Sequence, residues 1–102
     1  MAALTPTLVV SLDASAGTKK LKIFTVTPSS ESDAVALATH FSSIDKAFAF
    51  ISAGMDAALS AVQPTHSDTT VTLAQKGEDG EDATNWTSAS ITLIVIGEDA
   101  GV

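Results

Sequence analysis

The sequence predicts an all-β fold, a single antiparallel β-sandwich, from three observations. The last apolar run, Ile91-Thr92-Leu93-Ile94-Val95-Ile96, is nearly all β-branched and has the length of a strand rather than a helix. Side chains branched at Cβ are stiff at χ1 and pack well on a pleated surface. Residues 7–12, 20–27 and 69–75 alternate with a period of two, and turn-forming residues separate them at fairly even spacing.

The first strand is read at 7–12, with Leu8, Val10 and Leu12 on one face. Asp13-Ala14-Ser15-Ala16-Gly17-Thr18 is turn chemistry. The second strand, 20–27, sets Leu21, Ile23 and Thr25 against Lys22, Phe24 and Val26, a lysine face suited to solvent or a sheet edge. Pro28 to Asp33 breaks it, and residues 34–37 read as a short third strand.

Residues 42–62 carry two patterns. As a short helix, Ile44, Phe48, Ile51, Met55, Leu59 and Val62 fall three and four apart behind Ser43 as N-cap. As strands, 46–52 put Phe48 and Phe50 opposite Ala47, Ala49 and Ile51, followed by a turn at 53–56 and a strand at 59–62. Alanine favours the helix, whereas Gly54 costs one about 1 kcal/mol relative to alanine. Residues 63–68, with Pro64, read as a loop. In 69–75, Val71 and Leu73 point inward and Thr70 and Thr72 outward. Residues 77–84 form an acidic loop, and 86–96 close the sheet. Residues 97–102 read as a C-terminal tail, frayed or crossing to a neighbour.

The final strand is apolar on both sides. Ile91, Leu93 and Val95 point one way, and Ile94 and Ile96 the other, so it needs cover on both faces, from its own domain or from another chain. The chain has 102 residues and no cysteine. A small domain without disulfide staples gains stability by oligomerising. A folded monomer of this size should expose about 5,400 Å², of which a standard interface takes roughly 800 Å² per partner. Hence Ile94, Ile96, Phe48 and Phe50 are the candidate residues for an oligomer or partner interface, although Phe41, Phe48 and Phe50 also read as core.

Net charge is −7, from 5 basic residues, all lysine, against 12 acids. That balance repels phosphate backbones and excludes nucleic acid as an expected partner. No apolar stretch approaches the roughly 18 residues of a spanning helix. The start, Met1-Ala2-Ala3-Leu4-Thr5-Pro6, has no positive charge before an apolar run, so neither a membrane segment nor a secretory signal is expected.

Glu78, Asp79, Glu81 and Asp82 form the densest acidic cluster, but their spacing does not match the alternating ligands of an EF-hand loop, and a solvated turn is the plainer reading. His40 and His66 lack neighbouring partners at nucleophile or zinc spacing. No metal or cofactor is expected, and no acid, base and nucleophile set points to an enzyme. Asn85-Trp86-Thr87 fits the N-glycosylation pattern but reads as the turn into the last strand, with Trp86 as an inter-sheet anchor.

Asp56-Ala57-Ala58-Leu59, the run Ser67-Asp68-Thr69-Thr70-Val71-Thr72-Leu73, and Thr84-Asn85-Trp86-Thr87-Ser88-Ala89-Ser90 leading through Ile91–Ile96 to Gly97 together resemble small bacteriophage virion structural proteins. The resemblance covers the C-terminal two-thirds and implies strands over 42–62. It also implies a capsid decoration or cement protein, without catalytic residues, on the outer capsid surface of the virion. Its partner there would be the major capsid protein. A homotrimer is the oligomer expected, as it would suit local three-fold positions of a shell. The alternative is a tail, spike or fibre module that recognises a host-surface glycan or receptor.

Overall fold

The computed structural model describes residues 2–13, 19–55, 59–81 and 89–100. Among the described residues, eight strands form two four-stranded sheets with a common core between them. They are β1 (Ala2–Leu4), β2 (Thr7–Asp13), β3 (Lys19–Val26), β4 (Ser32–Ala36), β5 (Phe41–Ala53), β6 (Ala61–Ser67), β7 (Thr70–Lys76) and β8 (Ser90–Asp99). Sheet A has the order β1-β4-β7-β6 and sheet B the order β2-β3-β8-β5. Among the described strands the pairings are antiparallel except β1 with β4. The expected β-sandwich is the fold, and no helix occurs among the described residues.

Alternation explains the core. In β8, Ile91, Leu93 and Val95 are wholly buried, and they meet Phe24 and Val26 of β3 and Val35, Val71 and Leu73 from sheet A. Phe41 closes one end, its ring edge-on to Phe24 at 6.5 Å between centroids. A smaller cluster of Leu59 and Ala89 lies against Ile51.

Of residues 42–62, those up to Ala53 belong to β5 and Ala61 and Val62 to β6, and 56–58 lie outside the described residues. β5 runs 13 residues and pairs with β8 along its length, with irregularities near Ser43, Lys46 and Ala53. Gly54, at φ 80°, turns the chain out of it. The helical spacing of Ile44, Phe48 and Ile51 was genuine but lost to a ladder that also buries Ala47, Ala49 and Ile51 against the core.

Three local expectations are corrected. Residues 63–68 are not a loop: 61–67 form β6, which pairs with β7, and Asp68, at φ 53°, makes the hairpin turn. Pro64 is tolerated because β6 is an edge strand and needs hydrogen bonds on one side only. In β2 a register shift between Leu8 and Val10 breaks the regular alternation, so Leu8 lies opposite Phe24 while Val10 and Leu12 lie opposite Ile23 and Leu21.

The third correction concerns the C-terminus. Residues 97–99 are not a frayed tail but the end of β8, and the Ala100 amide donates to the His40 carbonyl at 3.1 Å. Gly97 is buried where a Cβ would fall 2.2 Å from the Ser43 carbonyl oxygen, so only glycine lets β5 approach. Residues 101–102 lie outside the described residues.

Candidate interaction face

The outward side of sheet B is the most distinctive surface of the molecule. Residues directly opposite in a ladder share a face, so the registers order this surface in rows across β5, β8, β3 and β2. One row is Phe48, Ile94, Ile23 and Val10. The next is Lys46, Ile96, Leu21 and Leu12. On the far side of the first row lie Phe50, Thr92, Thr25 and Thr7. Phe48, Phe50 and Leu12 are 52%, 50% and 51% exposed. Ile94, Ile96, Ile23 and Leu21 are half-buried, and none of the described strands is layered above them.

Thus Ile94, Ile96, Phe48 and Phe50, drawn from two strands far apart in sequence, converge on one face. The reading of Phe48 and Phe50 as core is corrected: of the three phenylalanines named with that reading, only Phe41 is buried. Val10, Leu12, Leu21 and Ile23 join the same face, a consequence of the β2 register shift and of β3 lying next to β8.

The face ends in charge. Lys19, opposite Glu98, bonds the Asp45 carboxylate and stands 3.6 Å from Glu98 Oε1. The hydrogen bond to Asp45 raises the Lys19 pKa above its ordinary value, against a smaller opposing effect of desolvation. With Lys46 on the face, two lysines and two carboxylates balance locally, in a chain of net charge −7.

The opposite surface, outside sheet A, is chemically different. Thr65 faces Thr72, Ser67 faces Thr70, and Ala34 faces Thr72 from the other side. Most of these outward side chains are short, with Gln63 and Lys76 toward one end.

Two polar constellations brace the sandwich from inside. Asp33, wholly buried, accepts from the Ser29 and Ser30 amides at 3.1 and 3.4 Å, from the Ser30 hydroxyl at 2.7 Å and from Gln75 Nε2. Gln75 Nε2 also donates to the Ser30 carbonyl at 2.8 Å, which ties the β3–β4 turn to β7. Lys22, expected at solvent, is buried on the core side because it shares a face with Phe24 and Val26. Its Nζ donates to Asp99 Oδ1 at 3.0 Å and the His40 carbonyl at 2.9 Å, and lies 5.1 Å from the Phe41 ring centroid. Asp99 is held below its ordinary pKa, first by the Lys22 hydrogen bond. His40, edge-on to Phe24 at 4.9 Å, is lowered by burial and then by the Lys22 charge.

Glu78, Asp79 and Glu81 sit in an exposed turn closed by the Gly77 amide on the Glu81 carbonyl at 2.8 Å. No group of three or more metal-ligating side chains and no pocket occur among the described residues. Asp82, Trp86 and the N-glycosylation pattern lie outside the described residues. The chain matches no protein-family model, no curated protein and no solved structure.

Proposed function

We propose that this chain is a non-enzymatic structural subunit of a phage particle, a decoration or cement protein that stands on the outer face of the assembled shell. One observation carries the reading: an exposed apolar field of eight side chains, four strands wide, bordered by threonines and balanced ions. Contiguous exposed apolar surface of that extent, rimmed by polar groups, marks a protein interaction site. The chain is small and acidic, features that suit the outside of a nucleic-acid container more than its lumen.

Stabilisation would follow from mass action. A protein that binds the assembled shell and not its dissociated subunits shifts the equilibrium toward assembly. Repeated weak contacts over the lattice multiply into avidity.

The test is biochemical. Purified particles should contain the protein in fixed ratio to the main shell protein, and particles lacking it should release DNA at lower temperature. If the protein is absent from particles, or its removal leaves DNA release unchanged, the shell reading fails, and binding to a host-surface glycan or receptor takes its place.

A further inference from the structure

From the row pattern of sheet B we infer that its apolar outer face is covered by a second copy of this chain, in a two-fold, face-to-face pair whose axis runs parallel to the strands. The inference assigns the apolar field to the first contact the subunit makes, its own second copy, so that the pair meets the shell through its remaining surface; it rests on the shell-coating reading only for its biological setting.

Charge points to a second copy. Two chains of net charge −7 repel wherever acids predominate. On this face Lys19 and Lys46 offset Asp45 and Glu98, so like meets like here at little electrostatic cost. A partner of strong positive or negative charge would find nothing to complement.

The rows choose the axis. Rotation about a line parallel to the strands, between β3 and β8, leaves each row over its own counterpart and reverses the strand order. Thr92 then meets Thr25, Ile94 and Ile96 meet Ile23 and Leu21, Phe50 lies over Thr7, and Lys46 lies over Leu12 at the edge. Phe48 on β5 lies over Val10 on β2 of the second copy, with a bulky edge against a smaller one. At the charged end, Lys19 on β3 comes over Glu98 on β8 of the second copy, opposite charges in register. An axis across the strands would instead set the threonine row over the ion row. Such a self-complementary patch is what a two-fold contact requires. Sheets packed this way stand about 10 Å apart, with their strands within about 30°.

Size sets the strength. Four strands about 4.8 Å apart, over six residue steps of about 3.4 Å, give a flat footprint of roughly 400 Å² per copy before side-chain relief. That is about half the area per partner of a standard interface, so the pair is a weak one and should dissociate on dilution.

Sedimentation velocity over a concentration series is the measurement. Wild type should move from the 10.4 kDa monomer to twice that mass as concentration rises. Phe48→Ser and Ile94→Asp should remain monomeric with an unchanged β signal in circular dichroism. Thr72→Asp, on the other sheet, should pair like wild type. Since the chain has no cysteine, a short bis-maleimide can report the axis. A mixture of Leu12→Cys and Lys46→Cys chains should cross-link, because the axis sets these edge positions over one another, and Lys46→Cys alone should not.

A wild type that stays monomeric, or reaches three times the chain mass, overturns the inference. So do pairing that survives both face substitutions and cross-linking of Lys46→Cys to itself. If Ile94→Asp fails to fold, the more exposed Phe48→Ser decides. A monomer that still coats particles overturns the pair and leaves the shell reading standing; a pair absent from particles does the reverse.

Discussion

Lys22 shows how one residue organises an end of the sandwich. Its position in β3 points it inward, and its length carries the ammonium to the core's end, where Asp99 and the His40 carbonyl receive it. A buried charge is tolerated when paired and hydrogen-bonded. The pairing makes the clamp sensitive to acid. Asp99 and His40 both have folded-state pKa values below their ordinary values of 3.8 and 6.5. A depressed pKa gives stability that is present above the unfolded value and lost as pH falls through the folded one. Melting temperature should therefore be flat above neutrality, begin to fall below pH 6.5 through His40, and fall again below pH 3.8 through Asp99. Thermal melts of His40→Gln should lose the first decline, and those of Asp99→Asn should flatten the second while melting lower at pH 7. Unchanged profiles in both variants would show that the clamp does not govern acid stability.

At the scale of elements, β8 is the organiser. It lies between β3 and β5, contributes Ile91, Leu93 and Val95 to the core and presents Ile94 and Ile96 outward. Its far end depends on Gly97, which lets the irregular start of β5 come close. Gly97→Ala would force a methyl group into the Ser43 carbonyl, which belongs to backbone and cannot rotate away. Overpacking of this kind costs about 1–3 kcal/mol. Urea unfolding should show a lower midpoint by that amount, and amides near Ser43 and Ala100 should lose hydrogen-exchange protection first. A wild-type midpoint would mean that β5 shifts freely. The alternation of β8 was legible in its residues, whereas the extension of the strand through Gly97 was not. Glycine reads as a strand breaker until the neighbour it makes room for is known.

Across the whole molecule, the accessible surface is 5435 Å², close to the size-scaling expectation for a chain of this mass. The subunit is compact by itself, and its apolar outer face is surplus to the internal core. Long-range repulsion between two chains of charge −7 opposes their pairing. Exposed rim pairs such as Lys19 with Glu98 of a second copy are worth about 0–1 kcal/mol each. Raising ionic strength from about 0.01 M to 0.15 M shortens the screening length from about 30 to 8 Å. The pair should therefore tighten with added salt, as read by sedimentation at the two conditions. Loosening with salt would show that the rim ions, and not the apolar rows, hold it.

Fold class, most strand positions and the inward side of β7 and β8 were legible in the residues alone. These follow from period-two alternation and β-branching, which are local properties of the chain. Ile94, Ile96, Phe48 and Phe50 were likewise marked as residues seeking cover. The fold had to be seen before it was clear that they share one face with Val10, Leu12, Leu21 and Ile23, that Lys22 is buried, that 42–53 is strand and that β8 runs through Gly97. Each of those outcomes depends on which strand lies beside which and in what register. Pairing is a long-range choice, and a one-residue slip turns every side chain of a strand to the opposite face.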